Sequence, residues 1–234
     1  MLIGCFVVGG CMGSSECRLY PLGERALVLE AEPEAGFVGQ RRIWWLADRL
    51  REGEGGDPLE EIVPGMNNLT LVFDPEVTSL ARLERRLTEL WHQGEELDYH
   101  PREREIPVHY GNEGGPDLDE AARCCGLTPA ELVARHSGGD YRVYFLGFQP
   151  GFAYLGGLDP ALAVPRRREP RLRVPAGSVG IGGAQTGIYP AASPGGWQLI
   201  GRTDLVLFDP NRDEPSYLLP GDRVRFVPVG GSPC

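Results

Sequence analysis

Residues 144–204 alternate glycine and proline with aromatic residues and short apolar runs. The stretch runs Tyr144-Phe-Leu-Gly-Phe-Gln-Pro-Gly-Phe-Ala-Tyr-Leu-Gly-Gly, then Val174-Pro-Ala-Gly-Ser-Val-Gly-Ile-Gly-Gly-Ala-Gln-Thr-Gly-Ile-Tyr-Pro, then Ser193-Pro-Gly-Gly-Trp-Gln-Leu-Ile-Gly-Arg-Thr. Disordered Gly/Pro segments lack the apolar residues needed to bury a core. This one holds Phe145, Phe148, Phe152, Tyr154, Leu155, Tyr189 and Trp197. It therefore reads as ordered backbone with many tight turns, in which glycine takes positive φ and proline pre-sets the turn. So many fixed turns suit a chain that holds rings and backbone groups around something.

The remaining pattern divides in two. Arg18–Tyr20 and Ala26–Glu30 flank the turn Pro21-Leu-Gly-Glu and read as a hairpin. Phe37–Arg51 has helical apolar spacing and stops at Gly53. Leu59–Val63 and Leu69–Phe73 read as a second strand pair. Asp74-Pro75 predicts an N-cap with proline at the first helical position, opening a helix that carries Val77, Leu80, Leu83, Leu87, Leu90 and Trp91. This order predicts a small N-terminal α+β sandwich over residues 18–97. After a charged stretch, residues 98–234 open with a strand at Glu105–Val108. Capping-box patterns follow at Asp117–Glu120 and Thr128–Glu131. Short strands are then predicted at Tyr141–Leu146, Ser178–Ile181, Trp197–Gly201, Leu205–Phe208 and Arg223–Val227, which suits a mostly-β barrel. Residues 1–17 do not match either pattern and read as an N-terminal extension. Its apolar run is too short to span a bilayer and lacks the basic flank of a signal peptide.

The net charge of -10 argues against nucleic acid as a partner. All 23 basic residues are arginine, so there is no Schiff-base or P-loop lysine, and anion recognition falls to arginine or backbone N–H groups. The six cysteines form no C-x-x-C pair and no secreted disulfide framework, so zinc is not expected. Free thiols in a reducing, cytoplasmic setting and no membrane span are expected instead.

The candidate chemistry is sparse. Ala176-Gly-Ser178-Val-Gly180 is similar to a nucleophile elbow, but that motif needs a strand–turn–helix, and the glycines that follow open a helix poorly. A structural or backbone-binding role is expected for Ser178. Gly180–Gly183 allows two readings, an anion-binding nest of N–H groups or a tight barrel corner. His136 closes a predicted helix, where it suits a cap. Glu113 and Asp117 sit where carboxylates complement a helix dipole. Arg166 begins the run Arg166-Arg167-Arg168, which reads either as a solvated face or, at Arg166, as a carboxylate or phosphate contact. Gln185, Thr186, Tyr189 and Trp197 place polar handles and rings beside glycine, a usual pocket composition.

The central motif resembles the signature of the allophanate hydrolase subunit 1 family. The resemblance extends to Ile106-Pro-Val-His-Tyr-Gly-Asn-Glu-Gly-Gly-Pro-Asp-Leu and His136, and more weakly to Gly23-Glu-Arg-Ala-Leu and Val63-Pro-Gly-Met-Asn. It implies a cyclophilin-like barrel in the second half. It further implies a B-type subunit of an ATP-dependent 5-oxoprolinase, converting 5-oxo-L-proline to L-glutamate with a C-type subunit of the allophanate hydrolase subunit 2 family and an A-type subunit. ATP would belong to the assembled complex, since this chain has no nucleotide motif. On that footing Arg166, Gln185 and Thr186 are candidate catalytic residues. Phe152, Tyr154, Ser178, Gly183, Tyr189, Trp197 and His136 are candidate substrate-binding residues. Two alternatives come with the resemblance: a KipI-like inhibitor that docks on a histidine kinase, and a carboxyltransferase-like or allophanate hydrolase subunit of urea metabolism, for which any biotin would have to come from another chain.

Overall fold

The computed structural model describes residues 17–32, 36–53, 56, 58–93 and 101–230. Residues 1–16, His100 and Cys234 lie outside these, and with them all of the expected extension but Cys17, which opens the first strand, and three of the six cysteines. Cys17, Cys124 and Cys125 are free thiols. The chain divides into two compact units, Met1–Asp98 and Tyr99–Cys234.

In the first unit, β1 (Cys17–Pro21) and β2 (Ala26–Ala31) form the expected hairpin, and β4 (Asn68–Val72) pairs with both β2 and β3 (Glu61–Pro64). The sheet is antiparallel throughout, in the order β1-β2-β4-β3. Alternate strand residues share a face. Leu27, Leu29, Leu69 and Leu71 thus pack in one core with Ile43 and Leu46 of α1 (Gly36–Arg51) and Leu83 and Leu87 of α2 (Leu80–Gln93). The predicted start of α2 is corrected. The Asp74 side chain accepts from the Glu76 N–H, and its carbonyl accepts from Val77 and Thr78, so Asp74–Thr78 closes its own turn. Val77 consequently lies outside the core, 65% exposed.

In the second unit, β5 (Glu103–Tyr110), β6 (Tyr141–Leu146), β7 (Ala153–Gly156), β9 (Ser178–Gly182), β10 (Gln185–Ile188), β12 (Gln198–Arg202) and β13 (Arg223–Pro228) close a barrel in the order β10-β7-β6-β13-β5-β12-β9. β13 runs parallel to β5, and the other neighbours are antiparallel. The period of two on β5 turns Ile106, Val108 and Tyr110 inward and leaves Glu103 and Glu105 outside, where they pair with Arg223 and Arg225 of β13. β8 (Arg171–Val174) and β11 (Ser193–Gly195) form a separate two-stranded ribbon. α3 (Leu118–Cys124) and α4 (Pro129–Ser137) contribute Leu118, Ala121, Ala122, Leu132 and Val133 to the barrel core. The Thr128 capping box forms as predicted. Leu205–Phe208 is not a strand, because it meets only one bridge partner, Ser216 opposite Phe208.

His136 is not a surface cap. Its ring is fully buried, 4.5 Å from the Phe226 ring, between Tyr110 and Thr186. The Thr186 hydroxyl donates to the Gly180 carbonyl at 3.0 Å, which spends its one proton. It must therefore accept from His136 Nε2 at 2.9 Å, leaving Nδ1 to accept from the Tyr110 hydroxyl at 2.8 Å. Tyr141 closes the set by donating to the His136 carbonyl at 2.7 Å. Every polar atom of the imidazole is satisfied in its neutral form, and burial holds the ring's pKa down to about 3.

That depression has a consequence for stability. Between an unfolded value of about 6.5 and the folded value, the unfolded chain binds the proton and the folded chain does not. The contribution is complete above pH 6.5 and is lost as pH falls, by about 1.4 kcal/mol per pH unit. Urea unfolding at pH 7 and pH 5 should show the wild type losing about 2 kcal/mol more than His136→Gln, which lacks the titrating ring. Equal losses would refute this role for His136.

Candidate functional site

The rings of the Gly/Pro-rich stretch converge in the second unit on a cavity of about 100 Å³. It is lined by Phe148, Phe152, Tyr154, Tyr189, Trp197 and Arg166, with the Pro194–Gly196 backbone at one side. Phe152, Tyr189 and Trp197 stand mutually edge-on. Their centroids lie 5.5 Å apart for Phe152–Tyr189, 5.6 Å for Phe152–Trp197 and 6.3 Å for Tyr189–Trp197. Tyr154 stacks on Phe145 at 4.3 Å, with 8° between the rings. Such pairs contribute about 0.5–1.5 kcal/mol each beyond their buried area.

Glycine makes room for this. A Cβ at Gly182 would overlap the Trp197 ring, and one at Gly195 would sit 2.6 Å from the Tyr189 hydroxyl oxygen. The Gly180–Gly183 run thus serves packing. Gly180 and Gly182 lie within the β9 ladders, and the Gly183 N–H donates to the Val164 carbonyl at 2.8 Å. Of the two readings left open by the sequence, the structure takes the barrel corner: Gly183, at φ +65°, is the first turn residue of the β9–β10 hairpin.

Arg166 reaches the cavity because its neighbours are tied down. The Arg167 N–H donates to the Gly196 carbonyl at 2.7 Å, and Gln198 Nε2 donates to the Pro165 carbonyl at 3.1 Å. The guanidinium of Arg166 then lies 5.9 Å from the centre of the Trp197 ring. The rest of the loop is held by Asp117. Its carboxylate accepts from the Leu199 N–H at 2.7 Å, from Arg171 Nη2 at 2.7 Å and from Arg167 Nη1 at 3.3 Å. Asp117 stands at the N-cap of α3 but makes no capping hydrogen bond with its side chain, so the capping-box expectation for it is corrected. The run Arg166-Arg167-Arg168 is exposed throughout, as a solvated face would be, but two of its members also have partners: Arg167 is ion-paired to Asp117 alongside Arg171, and Arg166 lines the cavity.

Burial pushes the Tyr154 and Tyr189 phenols above their ordinary pKa, with the Arg166 charge acting against it at both. At Tyr189 a backbone hydrogen bond with Trp197 also opposes the shift. Both phenols are thus neutral donors at neutral pH. The cavity can therefore hold a small flat molecule between rings, supply a fixed positive charge to an anionic group, and offer phenolic hydroxyls.

The other sequence candidates lie apart from this cavity lining. Thr186 and His136 are spent in the barrel interior. Ser178 is buried at the start of β9, in a turn–strand rather than a strand–turn–helix, so it has no elbow geometry. Gln185 opens β10 beside the Gly183 turn. Glu113 is exposed. Among the described residues no group of three or more His, Cys, Asp or Glu is placed to hold a metal ion, and no helix is long and apolar enough to cross a membrane. Two residues of the site were missed: Phe148, and Asp117 as an anchor. Phe148 lies within the central motif, but Gly-Phe-Gln-Pro-Gly does not say which residue takes the strained position. Nothing in the sequence pairs Asp117 with arginines fifty residues away.

Residues 17–218 match the family described as carboxyltransferase domain, subdomain C and D. The B-type subunit of 5-oxoprolinase from Escherichia coli O157:H7 is 55% identical over 93% of this chain and 98% of its own length. The chain belongs to this family. The solved protein TTHA0988 is 42% identical over 89% of this chain, with a TM-score of 0.75, and the match spans 40% of that longer chain. Urea amidolyase of K. lactis shares the fold at a TM-score of 0.77 and 23% identity, over 92% of this chain and 15% of that one.

Three substitutions separate packing from chemistry. A Cβ at Gly177, at φ +79°, would overlap the Thr203 carbonyl oxygen, so Gly177→Val should lower stability by about 3 kcal/mol or abolish folding, whereas Ser178→Ala should cost about 1 kcal/mol. A Cβ at Gly183 has no atom within 4 Å, so Gly183→Val is penalised first by its positive φ and should fall between them. Loss of function in a fully folded Ser178→Ala would restore that serine to the chemistry. Asp117→Asn should cost about 2–3 kcal/mol in urea unfolding, because two arginines lose their shared anion. An unchanged midpoint would show that the loop does not depend on it.

Proposed function

We propose that this chain is the B-type component of an ATP-dependent 5-oxoprolinase and that its ring cavity holds 5-oxoproline. The observation that carries the reading is one small cavity combining edge-on rings with a single tethered arginine. 5-Oxoproline is a flat five-membered lactam with a carboxylate. Its faces suit Phe152, Tyr154 and Trp197, and its carboxylate suits the Arg166 guanidinium. The 5-oxoprolinase name of the relatives gives the substrate class.

In this reading the lactam oxygen is phosphorylated by ATP, and water then opens the activated C–N bond to give glutamate, ADP and phosphate. The residues described here do not fit ATP: no P-loop pattern and no acidic cluster accompanies the cavity. No phosphoryl step is therefore assigned to them. This chain binds and orients the ring, and C-type and A-type subunits supply nucleotide binding and the attacking water. Gln185 stays in the reading only as a neighbour of the β9–β10 turn.

The chain alone should release no glutamate from 5-oxoproline, with or without ATP. Co-purified with its partner subunits it should do so only with ATP. Arg166→Ala should leave assembly intact while lowering kcat/KM of the complex roughly 10- to 150-fold, the value of one charge-assisted contact. Turnover by the isolated chain would sink the shared site, and full activity of the Arg166→Ala complex would remove the cavity from the reaction.

A further inference from the structure

We infer that Phe148 sets the size of ligand the ring cavity accepts, as a specificity determinant held at the rim by a strained turn; this rests on the reading of the cavity as the 5-oxoproline site. Phe148 has φ +65°. The Gln149 N–H donates to the Gly147 carbonyl at 2.7 Å, so the chain closes a three-residue turn about Phe148. A three-residue turn centred on positive φ is rare and strained, and a bulky residue at such a φ is an outlier. The turn is braced from both sides, with Gly147 N–H donating to Phe152 O at 3.1 Å and Phe152 N–H donating to Gln149 O at 3.0 Å.

Burial does not explain why a phenylalanine occupies the strained position. The side chain is 60% exposed, and a glycine would adopt the same φ without strain. What the ring does have is a place. It stands edge-on to Phe152 at 5.4 Å and to Tyr189 at 6.3 Å, as an exposed member of the cavity lining. Strained residues persist where the surroundings over-determine them, and they gather at ligand clamps. A molecule seated between the rings would cover the exposed face of Phe148, and the braced turn keeps that ring from yielding to a larger one.

The test is calorimetric titration of the full chain with 5-oxoproline and with its six-membered homologue, 6-oxopiperidine-2-carboxylate, alongside melting curves. The wild type should prefer the smaller ring by roughly 10- to 200-fold, the discrimination that one methylene allows. Phe148→Ala should weaken 5-oxoproline about tenfold and bring the ratio of the two close to one. Phe148→Gly should bind like Phe148→Ala but melt higher, because only glycine relieves the turn. Unchanged affinities in Phe148→Ala would overturn the inference and leave the cavity reading standing. So would weaker binding with the preference intact. Equal melting of the two variants would overturn the strain on which the choice of Phe148 rests. A wild type that binds neither lactam would bring down the cavity reading and this inference with it.

Discussion

One buried carboxylate organises the half of this molecule that holds the candidate site. Asp117, 6% exposed, binds the backbone of β12 through Leu199 and two arginines of the preceding loop. A carboxylate taken out of water is costly unless its lone pairs are filled. Here they are filled by three donors from segments far apart in sequence. The loop is thereby fixed at Arg167 and Arg171, and Arg166, just outside the pinned stretch, is delivered to the cavity. The same loop runs into β8, so the ribbon that includes Gly195 beside Tyr189 inherits the restraint.

The barrel contains a second polar arrangement, and the contrast explains which groups remain for ligand. Tyr110, His136, Thr186 and the Gly180 carbonyl form a chain in which each proton has one acceptor. Such a network specifies the packing of β5, α4, β9 and β10 around one imidazole. A catalytic acid needs a free donor, and every donor of this network is already spent. At the cavity the opposite holds. The Arg166 guanidinium meets the Trp197 ring face, which accepts none of its N–H groups as a carboxylate would. Arg166 is also a lining residue of the cavity.

How much of this was legible follows from the range of the interactions. The first unit could be read closely because its strands alternate and its helices repeat within windows of ten to fifteen residues. The exception, the start of α2, failed because Asp74 served the turn at Glu76 to Thr78 with the same atoms that an N-cap would use. In the barrel, β9 and β13 were visible from β-branched and apolar residues, while β7, β8, β10 and β11 were not. Four-residue strands such as Gln185–Ile188 and Arg171–Val174 carry too little periodicity and owe their existence to neighbours. The aromatic members of the site were legible as a composition, and Arg166 as a residue in the right motif. The exclusion of His136 and Thr186 was not, because it depends on a ring turning inward from α4 toward Tyr110.

The protonation states of the cavity bear on how it works. Arginine keeps its charge throughout the physiological range, and the Tyr154 and Tyr189 phenols are pushed upward by burial. The remaining lining is Phe148, Phe152, Trp197, Pro194 and glycine backbone, with no carboxylate, imidazole or thiol. The surface presented to a ligand therefore keeps one charge state near neutral pH. It can bind and orient, with its dipoles set in advance, but it has no group of suitable pKa to take a proton from water. The fixed charge and the absent base go together, because the lining consists of rings, Pro194, glycine backbone and one arginine. Under the proposed reading, the proton acceptor for lactam opening comes from outside this lining.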